Sequence, residues 1–138
     1  MPKKDIYHDV VKTALIKDGW TITHDPFILS VGFRSIYADL GAERPIAAEK
    51  EGHKIAVEVK SFVGLSAVND LEHAIGQYSL YHSLLTRKEP ERRLYLAITE
   101  DTYEGIFSEP MGQIVLAARI LNLTIFNPFQ EVIVKWID

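Results

Sequence analysis

Hydrophobic positions in the first half of the chain alternate between helical and strand-like spacing. Apolar residues recur every three or four positions over residues 6–15, which predicts a first helix that ends at Asp18-Gly19. A short strand is expected over residues 20–23, followed by a loop and irregular or extended chain. The run SIYADL, residues 35–40, is expected to be a second strand, and KIAVEVK, residues 54–60, a third strand that pairs with it.

In the second half, Ser66 is a plausible N-cap for a long helix, and Pro90 prevents its continuation. The helix has an apolar stripe, in which we expect His82 to be a core residue: Leu71, Ile75, Tyr78, His82 and Leu85. RLYLAIT, residues 93–99, is apolar on both faces, as in a central strand. A C-terminal appendage should follow, with a helix over residues 111–121 and strands at 124–126 and 131–137.

This order of helix, three strands, helix and strand predicts an α/β fold with one mixed sheet flanked by helices. We expect a single domain over residues 1–138, because the chain is long enough for one continuous core. The ending EVIVKWID is apolar on both faces, so it must be covered by its own domain or by another copy. A homo-oligomer formed through this appendage is therefore one expectation.

Composition excludes several classes of protein. The chain has no cysteine, so it can form neither a disulfide nor a thiolate zinc site, and it has no thiol nucleophile. No apolar run approaches the roughly 20 residues of a membrane span, and the N-terminus MPKKDIYHDV lacks the apolar core of a signal peptide. We therefore expect a cytoplasmic protein without a membrane partner.

The charge balance argues against a protein that grips nucleic acid unaided. The chain has 15 basic and 19 acidic residues, a formal net charge of −4. Proteins that bind DNA by themselves usually carry a basic surplus. The run TRKEPERR mixes both signs and is expected to be a solvated loop. A nucleic-acid role would need a local basic patch, a bound metal or a partner.

One charge pair stands inside the most strand-like run. Of all acidic residues, Glu58 alone is followed two positions later by a lysine, Lys60. Side chains two apart on a strand share a face, so Glu58 and Lys60 should lie side by side, with Val57 and Val59 on the other face. Such a pair is either solvated, which is common for exposed ion pairs, or held for chemistry.

Three further residues favour chemistry. Asp39 is out of place in a half-buried strand unless it is paired or bound to metal, although it could instead cap the turn at Gly41. Gln77 and Tyr81 lie one turn apart on one face of the long helix, although ordinary packing also explains them.

Asp39, the triplet Glu58-Val59-Lys60, and Gln77 with Tyr81 resemble the active-site pattern of the PD-(D/E)xK restriction-endonuclease-like nucleases, whose core is αβββαβ. More narrowly, DLGAERPIAAEKEGHKIAVEVKSF, residues 39–62, followed by a helix with GQY, resembles the XisH family. Those are cyanobacterial proteins named as controlling factors for excision of the fdxN element during heterocyst differentiation. The narrower resemblance runs along nearly the whole chain.

The sequence departs from the nuclease pattern at identifiable places. Ala38 stands where a proline often precedes the first acid, and the gap from Asp39 to Glu58 is longer than in compact members. Asp9 could be the acid often found on the first helix, or simply an exposed helix charge.

The resemblance implies a magnesium or manganese site for phosphodiester hydrolysis. Asp39, Glu58 and the Val59 backbone carbonyl would be metal ligands, because Mg²⁺ prefers oxygen donors. Lys60 would orient water or neutralise phosphate, and Gln77 would hold the water or Lys60.

The implied partners are DNA, an XisI-type companion protein and a site-specific recombinase. The alternative function is a non-catalytic regulatory or adaptor protein that assists the recombinase. A third reading makes the acids and Lys60 a buried ion-pair network.

Overall fold

The computed structural model describes residues 5–32, 34–35 and 45–138. The helices are α1 (His8–Lys17), α2 (Ala67–Lys88), α3 (Glu100–Glu104) and α4 (Pro110–Ala117), with a 3₁₀ turn at Ile106–Ser108. The strands are β1 (Thr21–His24), β2 (Ser30–Val31), β3 (Arg34–Ser35), β4 (Ile46–Lys50), β5 (His53–Val59), β6 (Arg92–Thr99), β7 (Leu123–Asn127) and β8 (Val132–Ile137). Within these ranges no helix is both long and apolar enough to traverse a lipid bilayer.

Six strands form one mixed sheet in the order β1-β4-β5-β6-β7-β8. Strands β1, β4 and β5 are antiparallel neighbours, β5, β6 and β7 run parallel, and β8 returns antiparallel to β7. The parallel pairs require crossovers, which α2 provides between β5 and β6, and α3 with α4 between β6 and β7. The predicted mixed sheet flanked by helices is therefore confirmed.

The predicted partner of the third strand is wrong. β5 pairs with β4 on one side, with Ile46 opposite Val57 and Lys50 opposite His53, and with β6 on the other. The two-residue turn between β4 and β5, Glu51-Gly52, has φ angles of 51° and 84°, as tight hairpin turns require. Ser35 pairs instead with Ser30 in the small β2-β3 hairpin, and residues 36–40 lie outside the described residues.

The sheet separates two apolar layers. Alternation along β5 places Ala56 in a core with α2, whereas Ile55, Val57 and Val59 belong to a second core with α1. α1 therefore covers one face of the sheet and α2 the other. The predicted division of this strand into two faces is confirmed.

Helix α2 begins where the sequence predicts. Its N-cap Ser66 accepts a hydrogen bond from the Asn69 backbone N–H at 3.2 Å. The buried stripe runs through Leu71, Ala74, Tyr78, Tyr81 and Leu85. His82 is one position off this stripe and is exposed, with its ring stacked on Tyr78, so its predicted core position is wrong.

The C-terminal elements extend the sheet. β6 lies between β5 and β7, which confirms the predicted central strand. The helix expected over residues 111–121 is shorter, because α4 ends at Ala117. The two predicted final strands are β7 and β8, which join the main sheet.

Candidate functional site at the end of strand β5

Glu58 is buried near the carboxyl end of β5. Its exposed fraction is 2%, although β5 begins at an exposed residue, His53. The neighbours β4 and β6 hold β5 on both edges, so the strand alternation fixes the direction in which Glu58 points. The interpretation of Glu58 as a solvated surface charge is therefore wrong.

Lys60 follows directly on β5 and keeps the strand geometry. Its backbone N–H donates to the carbonyl oxygen of Ala97 on β6 at 3.1 Å, which continues the parallel ladder one residue beyond Val59. Alternation then places the Lys60 side chain on the face of Glu58. Lys60 is half-buried, so part of the residue is accessible to solvent.

Helix α2 covers the face on which Glu58 lies, and the charge of Glu58 acts on Tyr78 of this helix. Burial raises the pKa of the Tyr78 hydroxyl, the Asn122 backbone N–H that it accepts lowers it, and the negative charge of Glu58 raises it further. That hydroxyl donates to the Leu94 carbonyl oxygen at 3.0 Å and accepts from Asn122 at 3.1 Å. Tyr78 thus links α2 to β6 and to Asn122, the residue that immediately precedes β7.

The two residues predicted on α2 lie on the same side of the sheet as Glu58. Tyr81 is fully buried in the core, and Gln77 is half-buried on the flank of the helix. Gln77 also lines a surface groove of about 500 Å³ with other residues of α2, among them Gly76 and Leu80. The proposed roles of Gln77 and Tyr81 stay predictions.

The side chains of the remaining predicted residues belong to the opposite side of the sheet or lie outside the described residues. Asp39 is outside the described residues. Asp9 is exposed on α1, whose buried Val11 and Leu15 pack against the opposite face of the sheet. The Val59 side chain also belongs to that opposite core, and its carbonyl as a metal ligand stays a prediction.

An acid that the sequence reasoning missed reaches the end of β5. Asp5 is 8% exposed, and its Oδ2 accepts a hydrogen bond from the Ser61 backbone N–H at 2.9 Å. Its Oδ1 accepts from the Tyr7 backbone N–H at 2.9 Å. An acid just before a helix is a cap signal in sequence. Its contact with Ser61, 56 residues away, has no signal in sequence.

The oxygen ligands at this site would suffice for a hard divalent cation only together with a residue outside the described ranges. Glu58 supplies a carboxylate, the kind of ligand that Mg²⁺ and Mn²⁺ prefer. No group of three or more His, Cys, Asp or Glu side chains able to hold a metal ion occurs among residues 5–32, 34–35 and 45–138. A metal centre here would rest on Glu58 together with Asp39.

A cavity of about 250 Å³ lies where the parallel strands β5 and β6 end. It is lined by Phe62 and Ala67, which follow β5, and by Asp101, Thr102 and Ile106, which follow β6. Ligand sites in sheets with parallel strands commonly form beyond the carboxyl ends of those strands. The cavity therefore adjoins the chain segment that carries Lys60.

Comparison with known proteins identifies the family. The family model described as XisH protein matches residues 1–134. The chain belongs to the XisH family. A crystal structure of an XisH family protein from Nostoc punctiforme PCC 73102 is 44% identical, with a TM-score of 0.87, over 97% of this chain and 100% of that one. A crystal structure of an fdxN element excision controlling factor protein from Anabaena variabilis is 41% identical, with a TM-score of 0.88, over 98% and 100%. Among curated proteins none matches this XisH-family chain.

Proposed function

We propose that this XisH-family chain is a metal-dependent DNA endonuclease of the PD-(D/E)xK type that acts in the controlled excision of a DNA element. The observation that carries the proposal is the burial of Glu58 at the end of a central strand. Strand alternation places Lys60 on the same face. A carboxylate is costly to bury unless it is hydrogen-bonded, paired with a cation or bound to a metal, and metal binding is the arrangement proposed for Glu58. The excision role comes from the relative of Anabaena variabilis, which is described as an fdxN element excision controlling factor protein.

The order of elements supports a restriction-endonuclease-like core. With the β2-β3 hairpin treated as an insertion, the chain runs α1, then the antiparallel strands β1, β4 and β5, then α2 and the parallel strand β6. That is the αβββαβ order of the PD-(D/E)xK superfamily. The first acid of the pattern, Asp39, then lies seven residues before β4 rather than inside the strand that pairs with β5.

The residues of the chain would divide the work of hydrolysis. Asp39, Glu58 and the Val59 carbonyl would hold Mg²⁺ or Mn²⁺, which supplies Lewis acidity and a more acidic water when bound. Lys60 would hold the scissile phosphate by charge or orient the attacking water. From the flank of α2, Gln77 would donate a hydrogen bond to the water that Lys60 orients. Strand β5 fixes Glu58 because rigid elements hold ligand geometry better than loops.

A second candidate function is a non-catalytic adaptor that assists a site-specific recombinase. The net charge of −4 favours it, because such a chain gains little from phosphate neutralisation. In either case the partners we propose are DNA, an XisI-type companion and the recombinase, in the cytoplasm.

The proposal is tested first by metal binding. Mg²⁺ or Mn²⁺ should raise the melting temperature, because a ligand that binds only the folded state stabilises it. At ten times the dissociation constant the gain is about 1.4 kcal/mol, or roughly 3–5 °C for a domain of this size. Asp39→Ala and Glu58→Gln should abolish the rise, and the exposed Asp9→Asn should retain it. An equal rise in Asp39→Ala would remove Asp39 from the site.

The same variants then separate the enzyme from the adaptor. Supercoiled, branched and single-stranded DNA are incubated with Mg²⁺ or Mn²⁺, with and without the companion protein. Lys60→Ala should lose cleavage at least 100-fold while its melting temperature stays near that of the wild type, and the exposed Lys135→Ala is the matched control. Cleavage that survives in both Lys60→Ala and Glu58→Gln would refute the nuclease proposal.

A further inference from the structure

The segment that joins β5 to α2, residues 60–66, is here called the Lys60 loop. Three of its backbone N–H groups donate to acceptors outside the loop. Lys60 donates to the Ala97 carbonyl oxygen on β6, Ser61 to Asp5 and Gly64 to Asp70. Anchors on β6, on the segment before α1 and on α2 therefore fix one short loop.

The Asp5 anchor lies immediately after Lys60. Both carboxylate oxygens of Asp5 accept backbone N–H groups, one from Tyr7 and one from Ser61, each at 2.9 Å. Hydrogen bonds to a carboxylate are shorter and stronger than those between neutral groups. Asp5 thereby ties the start of α1, on one side of the sheet, to the residue that follows Lys60.

The Asp70 anchor lies at the other end of the loop. Asp70 is 9% exposed in the first turn of α2, and its Oδ2 accepts the Gly64 N–H at 2.9 Å. A Cβ atom on Gly64 would lie 2.7 Å from Asp70 Oδ1, closer than real Cβ contacts. Glycine at position 64 is therefore a condition of this hydrogen bond.

The middle of the loop is fixed by packing. Phe62 has a φ of 53°, a backbone conformation that residues with a side chain seldom adopt, and its ring packs edge-on against Phe107 with 6.0 Å between centroids. A strained residue keeps such a conformation only when its surroundings enforce it. The anchors on either side of Phe62 are such surroundings.

We infer that Asp5 and Asp70 are positioning residues, which hold the Lys60 loop so that the Lys60 side chain stays on the face of Glu58. The inference rests on the proposed function, because it assigns both acids to the same site. Neither acid contacts a substrate in this role. Fixing the backbone leaves only rotamer freedom to Lys60, so less entropy is lost when its ammonium engages a phosphate or a water.

The test measures Lys60 itself rather than activity alone. Each folded variant is treated briefly with an amine-acylating reagent, and the modification of Lys60 relative to the exposed Lys135 is read by mass spectrometry. Asp5→Ala and Asp70→Ala should raise the relative labelling of Lys60 at least threefold. They should also speed amide exchange of residues 60–66 about tenfold, while exchange of β6 stays unchanged. Asp70→Asn retains the acceptor oxygen that Gly64 needs and should restore most of the wild-type pattern. Asp5→Asn offers one acceptor oxygen to two N–H donors and should restore only part of it.

Gly64→Ala gives an independent variant in which both acids are intact. It should loosen the loop as Asp70→Ala does, because the added Cβ displaces Asp70. Gly76→Ala on α2, where an added Cβ meets nothing within 4 Å, is the matched control. Unchanged Lys60 labelling and loop exchange in Asp70→Ala and Gly64→Ala would overturn the inference, whether or not Asp5→Ala folds.

Cleavage measured on the same variants keeps the two proposals apart. If the wild type cuts DNA, loosening the loop should lower kcat at least tenfold with little change in KM. If the wild type does not cut but Lys60 labelling responds as expected, the nuclease proposal fails and the positioning of Lys60 stands. If cleavage occurs and kcat is unaffected by the loosened loop, the positioning role is refuted and the nuclease stands.

Discussion

At the scale of single residues, Arg92 shows how a buried cation joins three parts of the fold. It is 6% exposed at the start of β6 and donates to the Ile55 carbonyl oxygen at 2.9 Å and to Glu89 at 3.1 Å. Its guanidinium also lies 5.0 Å from the centroid of the Phe27 ring. Arg92→Met keeps the apolar stem but leaves a buried carbonyl without its donor. We expect a loss of about 2–4 kcal/mol in the free energy of unfolding, measured by urea denaturation.

The neighbouring Arg93 is the matched control for Arg92. It lies on the same strand with an exposed side chain that contacts Asp138. Arg93→Met should barely change the urea midpoint, because exposed ion pairs contribute little. Equal losses in Arg92→Met and Arg93→Met would mean that burial of Arg92 does not matter.

Arg92 and Arg93 also show how much the sequence could predict about single residues. TRKEPERR, residues 86–93, was expected to be a solvated loop, but its first three residues end α2 and its last two begin β6. Alternation along β6 turns Arg92 inward and leaves Arg93 exposed. Alternation likewise predicted that Glu58 and Lys60 share a face. The burial of Glu58 was not predictable, because it depends on α2, which follows later in the chain and folds back over β5. Asp5 was missed because its contact with Ser61 joins two segments that are 56 residues apart in the chain.

At the scale of elements, Asp25 fastens α1 to the end of β1. Its two carboxylate oxygens contact His8 Nε2 at 2.7 Å and Lys12 Nζ at 2.8 Å, both on α1. Burial raises the pKa of Asp25, but the hydrogen bonds to Lys12 and His8 outweigh it, so the pKa lies below the usual value. A pKa lowered by folding stabilises the protein above the unfolded value, about 3.9, and this contribution is lost as pH falls through the folded value.

Asp25→Asn should therefore destabilise the protein by about 1–2 kcal/mol at pH 7, and the difference from the wild type should shrink below about pH 4. Urea unfolding at a series of pH values from 7 to 3 measures it. The exposed Asp101→Asn, treated identically, should show no such convergence. A difference that stays constant down to pH 3 would contradict the role of the Asp25 charge.

The elements themselves were predicted unevenly, for physical reasons. α2 was predicted well because Ser66 and Pro90 are strong local signals at its two ends. β4 was missed because IAAEK contains few β-branched or aromatic residues and becomes a strand only through pairing with β1 and β5. His82 was misplaced because it follows Tyr78 by four residues, which is a helical spacing. The buried face of α2 instead continues from Tyr78 to Tyr81, three residues later.

At the scale of the whole molecule, the appendage predicted at the C-terminus is an integral part of the sheet. β7 and β8 continue the sheet beyond β6, and Trp136 packs against Trp20 and Tyr95 on the face covered by α1. The apolar residues of EVIVKWID are thus covered partly within the domain. A homo-oligomer through β8, which is one edge of the described sheet, stays a prediction.

The distribution of charge over the molecule predicts how strongly the proposed DNA binding depends on salt. The net charge is −4, and several cations are already engaged within the protein: Lys12 by Asp25, Lys50 by the Asp18 carbonyl oxygen, Arg92 by Ile55 and Arg93 by Asp138. Each phosphate that a protein neutralises on duplex DNA contributes about 0.9 to the slope of log K against log salt. Because acidic residues outnumber basic ones and part of the basic charge is engaged within the protein, we expect a slope of magnitude below about 3 for the protein alone.

Fluorescence anisotropy with a labelled 20-base-pair duplex, titrated in chloride salt from 50 to 200 mM, measures that slope. Affinity should be weak in chelator and should rise at least tenfold with Mg²⁺, because a cation beside Glu58 offsets the negative charge that faces the phosphate. Glu58→Gln removes that carboxylate, so its binding should be stronger than the wild type in chelator and should respond less to Mg²⁺. A steep slope near 6 or more in chelator, unchanged in Glu58→Gln, would instead indicate that a basic surface holds DNA without metal. In that case DNA binding would be independent of the metal proposed at Glu58, and neither proposed partner, the companion protein or the recombinase, would be needed to bring the chain to DNA.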